Sequence, residues 1–276
     1  MIPASFDYQV AGSVDEAVRL LSEGGGDAKL LAGGHSLLPL MKLRLASPSL
    51  LIDIGGLHDL SYVREAGDAI AIGALTRHLD VAGSSLLQRE APLVAHVAGQ
   101  VGDPQVRHRG TIGGSIAHGD PASDLPAACL ALDATFVIAG PNGERRIGAG
   151  EFFRGFLETA LEADEVLVEI LVPKAAGAGW SFQKFNRRAQ DWAIVGVAAV
   201  SNGSTRIGLV NMGSTPLRST GAEEALAGGA SASDAAAHAA DGLEPPGDLN
   251  ASPEYRRHLA AVLVRRAIEE ASSRHG

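Results

Sequence analysis

One cysteine, Cys129, is all that the chain has in 276 residues. An intrachain disulfide is therefore excluded, and so is an iron–sulfur cluster held by this chain alone, which takes about four such ligands. That scarcity fits a reducing cytoplasm. Basic residues are also short, with 23 Lys and Arg against 32 Asp and Glu for a formal charge of −9. No polybasic run supplies a footprint for nucleic acid or for an anionic membrane. No apolar run reaches the roughly 18 residues of a membrane span, and the opening MIPASFDYQV has neither the basic nor the apolar region of a secretory signal. Nine histidines are present, yet none falls into H-E-x-x-H or a comparable ligand spacing. The expectation is a soluble, untargeted, cytoplasmic protein with no metal of its own.

What the chain does have is glycine, 34 residues of it, above the usual share of about 7% and gathered in pairs beside strands. In KLLAGGHSLLPLMKLRL (29–45) an apolar strand runs into Gly33-Gly34 and the small polar pair His35-Ser36. In RGTIGGSIAHGDPASDLPA (109–127), about eighty residues on, the arrangement returns around Gly113-Gly114. Successive N–H groups in such turns can converge on an anion, and the missing Cβ atoms let the backbone approach it. Ser36, Thr111 and Ser115 add hydroxyls, so the two loops together can hold a pyrophosphate, which points to a dinucleotide.

Neither loop matches G-x-G-x-x-G or G-x-x-x-x-G-K-[ST]. Two other readings stand beside the cofactor one. The glycines can simply make tight turns. Gly34-His35-Ser36 also resembles the start of a G-x-S-x-G nucleophile elbow, although Leu38 stands where its last glycine belongs.

The element pattern is α+β. Ser13 and Glu16 form a capping box for a helix that Gly24–Gly26 stop, and AKLLAG and SLLIDIGG follow as strands. A new strand begins at DAIAIGALT (68–76), with Thr76 expected to cap a helix through Leu79-Asp80-Val81 and Pro92 opening another over 91–101. Pro141-Asn142-Gly143 supplies a hairpin turn, EVLVEILVP (165–173) is a strand, and AAGAG (175–179) is a plausible junction. Three antiparallel strands are expected beyond it, the last two joined at Asn202-Gly203. Residues 219–250, with six acidic and no basic residues, read as helix faces, and a terminal helix is capped by Ser252 with Pro253 first.

LLAGGHSLLPLMKLRLASPSLLIDI, IAIGALTRH, RGTIGGSIAHGDPASDLPA and FNRRAQDWAIVGVA resemble the FAD-binding medium subunit of molybdenum hydroxylases, a family that includes the carbon monoxide dehydrogenase medium chain and the xanthine dehydrogenase flavin domain. The resemblance covers nearly the whole chain. It implies a vanillyl-alcohol-oxidase-type fold of two α/β subdomains, 1–56 and 57–174, holding FAD between them, and a C-terminal domain, 175–276, of a three-stranded sheet with helices. It also implies that Ala32, Gly33, Gly34, His35 and Ser36, flanked by Leu31 and Leu37, form one pyrophosphate loop, and that Thr111, Gly113, Gly114 and Ser115, with His118 nearby, form the other.

Asp124 matches a residue that contacts the FAD polyol or sugar; its plain reading is a helix N-terminal charge. Leu167 matches a residue near the flavin ring, where the pattern alone suggests core. Lys184 can place positive charge at the flavin N1–C2=O edge or make an ordinary salt bridge. Trp192 stands where the family borders the flavin, or is core. Molybdopterin and two [2Fe–2S] clusters are implied in a large and a small partner subunit, in a dimer of heterotrimers that oxidises substrate outside this chain. A stand-alone FAD oxidase of the same superfamily, and a partner protein that has lost FAD, are the alternatives.

Overall fold

The computed structural model describes residues 2–274. Strands β1 (Asp7–Val10), β2 (Ala28–Leu31) and β3 (Leu50–Asp53) form a small parallel sheet in the order β1-β3-β2, with α1 (Val14–Gly24) between β1 and β2 and α2 (Leu37–Lys42) between β2 and β3. The Ser13 hydroxyl accepts from Glu16 N–H at 3.1 Å, and Glu16 reaches back to Gly12 N–H at 2.8 Å, one residue earlier than a standard capping box. Gly25, at φ 61°, ends the helix. The sequence pattern had not separated α2 from its glycine loop.

β4 (Val63–Ala66) and β5 (Ala69–Gly73) begin an antiparallel sheet, and five short helices then follow: α3 (His78–Gly83), α4 (Ser85–Glu90), α5 (Pro92–Gln100), α6 (Pro104–Arg109) and α7 (Ile112–His118). Then come α8 (Asp124–Ala131), the hairpin β6 (Thr135–Gly140) and β7 (Gly143–Gly148), α9 (Ala149–Phe152), the small hairpin β8 (Phe153–Gly155) and β9 (Glu158–Thr159), and β10 (Val166–Pro173). β10 is central, in the order β4-β5-β10-β6-β7.

Thr76 is not the cap expected of it. Arg77 precedes α3, while the Thr76 hydroxyl bonds the Tyr62 backbone N–H and C=O, each at 3.0 Å. The backbone of Tyr62, just before β4, offered both a donor and an acceptor, which a helix end does not.

The C-terminal sheet, β11 (Gly179–Phe185), β12 (Val195–Asn202), β13 (Ser204–Val210) and β14 (Leu217–Arg218), is antiparallel and gains in β14 a fourth, two-residue strand beyond the three expected. α10 (Thr220–Ala227), α11 (Ala232–Ala237) and α12 (Pro253–Ser273) cover one face, and Ser252 caps α12 through Tyr255 N–H.

Alternation sorts each central strand between two cores. On β12, Val195, Val197 and Ala199 face α10–α12, whereas Ala198 and Val200 join the core around α5 and α8. On β10, Val166 and Val168 face α1, and Leu167, Ile170 and Val172 face the α5–α8 side. Leu167 and Ile170 share a face despite their odd spacing because the register slips between Leu167 and Glu169. That bulge turns Leu167 toward the space between the sheets.

Candidate functional site

The first glycine loop leaves β2 at Leu31 and enters α2 after Ser36; the second runs from Gly110 and Thr111, after α6, into the first turn of α7, which holds Gly113, Gly114 and Ser115. They touch backbone to backbone. A Cβ on Gly33 would lie 2.5 Å from Arg109 O and 2.8 Å from Gly110 Cα, and one on Gly113 would lie 2.5 Å from Ala74 Cβ. Gly34 sits at φ 75°, where a side chain is strained. These glycines serve close approach as well as turning.

The two loops spend their N–H groups differently. In the second, Ile112 N–H donates to Thr76 O, Gly113 to Ala74 O, Gly114 to the Thr111 hydroxyl and Ser115 to Thr111 O, at 2.9 to 3.1 Å. It is thereby strapped to residues 74–78, with His78 N–H adding a bond to Gly110 O at 3.0 Å and the Arg77 guanidinium one to Arg109 O. It therefore offers hydroxyls, from Thr111 and Ser115, rather than a set of free amides. In the first loop the N–H groups of Gly33, Gly34, His35 and Ser36 have no protein acceptor among the described residues. That loop is the one with donors to spare.

Between the loops opens a cleft of about 770 Å³, within the ~300–1,000 Å³ usual for small-molecule and cofactor sites. Its wall collects Leu31, Ala32, Gly33, Gly34, His35, Ser36 and Leu37 with Thr111, Gly113, Gly114, Ser115 and His118. Asp124, Leu167, Lys184 and Trp192 complete the set proposed from sequence, so all of those positions line one space.

Asp124 opens α8 and is 6% exposed. Its Oδ2 accepts from Lys184 Nζ at 2.6 Å, and that ammonium also donates to Gln100 O at 3.1 Å. Its Oδ1 has no partner among the described residues. Burial raises the Asp124 carboxyl to about 6 against the opposing pull of Lys184. Asp124 and Lys184 thus have their plain readings, a helix-start charge and a salt bridge, and both also line the cleft. Trp192, 57% exposed, is at the mouth and not in the core, whereas Leu167 is buried and lines the cleft as well. Burial also holds the His118 imidazole below its ordinary range.

Some wall residues were not anticipated. They include His78, 4% exposed, and Asp103, which caps α6 by accepting from Val106 N–H at 2.9 Å. They also include the segment from Leu157 to Glu165, where Leu157 takes a positive φ of 58° in the β8–β9 turn. Asp103-Pro104 is a legible helix start. Nothing local in FFRGFLET tells that it reaches the cleft.

The orphan Asp124 oxygen, the free amides of the first loop and the glycine contacts fit a ligand with an anionic centre and hydroxyls. Ser36 does not fit a nucleophile elbow: at φ −102° and ψ −51° it is ordinary helical backbone without the strained turn that motif needs. Among the described residues no group of His, Cys, Asp and Glu can hold a metal ion, and no helix is long and apolar enough to cross a membrane.

Comparison with known proteins matches residues 4–175 to the FAD binding domain in molybdopterin dehydrogenase and residues 180–271 to the CO dehydrogenase flavoprotein C-terminal domain. The chain is 47% identical over 285 aligned residues to the carbon monoxide dehydrogenase medium chain of Hydrogenophaga pseudoflava, covering 99% of each. It is 40% identical to the 6-hydroxypseudooxynicotine dehydrogenase complex subunit alpha of Paenarthrobacter nicotinovorans, covering 99% of this chain and 97% of that one. Among solved structures, a carbon monoxide dehydrogenase from Hydrogenophaga pseudoflava, lacking the Mo-pyranopterin moiety of its cofactor, superposes with a TM-score of 0.95 at 48% identity over 99% of both chains.

Proposed function

Since the chain belongs to the FAD-binding medium subunits of molybdenum hydroxylases of the carbon monoxide dehydrogenase and xanthine dehydrogenase type, we propose that it is the electron-transfer subunit of such a complex. In this reading electrons come from [2Fe–2S] clusters in a small partner subunit and leave to an external acceptor. Substrate is oxidised in a large molybdopterin subunit, and two heterotrimers form a dimer in the cytoplasm. FAD supplies the ability to accept electrons singly and release them in pairs.

The observation that carries the proposal is the single cleft on which both glycine loops and both family-matched segments converge. The subdomain division is 1–56, 57–174 and 175–276. Gly33, Gly34, His35 and Ser36 hold the diphosphate through backbone N–H groups, with Ala32, Leu31 and Leu37 shaping that loop. Thr111 and Ser115 add hydroxyls, and Gly113 and Gly114 keep the second loop close. Asp124 receives ligand hydroxyls on its unpartnered oxygen, Lys184 places its charge at the flavin's polar edge, Leu167 and Trp192 border the ring, and His118 closes the second loop's end.

The partner reading is supported by the relatives, a medium chain of a carbon monoxide dehydrogenase and a subunit of a 6-hydroxypseudooxynicotine dehydrogenase complex. The relatives named above carry this type of subunit for different substrates, so the substrate is selected in the partner.

The test is the absorption spectrum of the purified chain, with any chromophore released and weighed. FAD, rather than FMN or nothing, supports the reading, and its reduction by substrate only after the two partner subunits are added supports the division of labour. A chain that takes up no FAD even in their presence refutes it.

A further inference from the structure

We propose that His78 is a further binding group for the diphosphate of the cofactor, its buried imidazole hydrogen-bonding an anionic oxygen and taking a proton from solvent as it does so. This rests on the FAD reading above and extends it to a residue outside both glycine loops.

His78 begins α3 and lines the cleft. Its ring lies against the second loop, since a Cβ on Gly110 would be 2.8 Å from its Cδ2 and 2.9 Å from its Nε2, and Gly110 in turn abuts Gly33 of the first loop. The ring is therefore at the junction of the two loops. Its Nδ1 is buried with no hydrogen-bond partner among the described residues. Buried polar atoms of that kind are uncommon and call for an explanation, an absent ligand among them.

The titratable and charged groups that act on the ring are His35 from the first loop, Arg107 from α6 and Arg77 beside it. Arg107 donates to the carbonyls of Val101 and Gly102, each at 3.0 Å, and Arg77 to that of Arg109, so neither guanidinium is offset by a carboxylate bonded to it. Burial first, and that cationic field second, push His78 down to about 4. A bound diphosphate reverses the sign of the field and offers the unpartnered imidazole an acceptor. One proton then passes from water to the imidazole, the diphosphate keeps its charge, and no covalent bond to the ligand forms.

The experiment is calorimetric titration of the cofactor-free full chain at about pH 6 in buffers of different ionisation enthalpy, which counts protons taken up on binding. FAD and ADP-ribose, which share the diphosphate, are compared with riboflavin, which lacks it. The expected result is proton uptake with the first two and none with riboflavin. In His78→Phe the uptake disappears and FAD binds roughly tenfold or more weakly, the scale of a charge-assisted hydrogen bond. His78→Asn keeps a polar group and recovers part of the affinity without the uptake. Uptake that persists in His78→Phe, FAD binding without uptake in the unmodified chain, or equal affinity in His78→Phe overturns the proposal. An unmodified chain that binds neither FAD nor ADP-ribose overturns the flavoprotein reading itself, and this one with it.

Discussion

At the scale of single residues, the site rests on atoms that are missing and on charges held out of water. Gly33→Ala puts a methyl group 2.5 Å from a carbonyl oxygen of the facing loop, and backbone cannot retreat as a flexible side chain can. The expected outcome is loss of most bound FAD, read as the flavin-to-protein absorbance ratio, with a stability cost of about 1–3 kcal/mol. Asp124 and His78 give opposite pH dependences. Asp124 is raised from 3.8 to about 6, so its contribution is fully present below the ordinary value and is lost as pH rises through about 6, roughly 3 kcal/mol at 1.36 per unit. His78 is lowered from 6.5 to about 4, so its contribution is present above 6.5 and is lost as pH falls toward 4. In the cofactor-free chain the two slopes offset. Compared with the unmodified chain, Asp124→Asn should gain stability as pH rises from about 4.5 to about 6.5, and His78→Asn should lose it, both measured by urea unfolding. The glycine pairs and hydroxyls were legible in the sequence because their chemistry is local. His78 was not, since its burial depends on a loop about thirty residues further along the chain.

At the scale of elements, caps and contacts rank differently. Ser252→Ala removes the cap bond to Tyr255 N–H at 3.2 Å, together with the hydroxyl's contact with the Glu254 carboxylate, at the start of a 21-residue helix packed on its sheet. The expected cost is about 1 kcal/mol, seen as a small shift of the urea midpoint at unchanged slope. Gly208→Ala is the harsher change although it touches no cap. Its Cβ would meet the backbone carbonyl of Ala127, where β13 crosses α8, so the crossing must open. A loss of about 3 kcal/mol, with flavin content falling because α8 carries Asp124, is the expected result. Serine and proline at helix starts were readable because capping is a contact of a few residues: Ser13, Pro92 and Ser252 stand where the pattern put them. Thr76 misled because its hydroxyl had a better offer from Tyr62, fourteen residues away. The fourth strand β14 and the helix α2 escaped because two and six residues are too short to show a period.

For the whole molecule, the cleft belongs to no single sheet. Lys184 and Trp192 come from the C-terminal segment, and the core over α5 and α8 includes Phe182, Ala198, Val200 and Val210 from the same part. A chain ending at residue 175 should therefore expose the apolar face of α8 and leave Asp124 without its cation. Such a fragment is expected to aggregate and to hold no FAD, checked by gel filtration and absorbance; a soluble, yellow fragment would show that the N-terminal part is sufficient. By itself the sequence determined the charge balance, the lack of cluster-forming cysteines, the helix starts and the two glycine loops, because each depends on composition or on neighbours a few residues apart. Only the tertiary structure decided that one loop keeps its amides free while the other spends them on Ala74, Thr76 and its own Thr111. It also decided that a bulge turns Leu167 to the cleft and that Trp192 stands at its mouth. Hydrogen bonds and burial are settled between segments far apart in the chain, and no local pattern carries them.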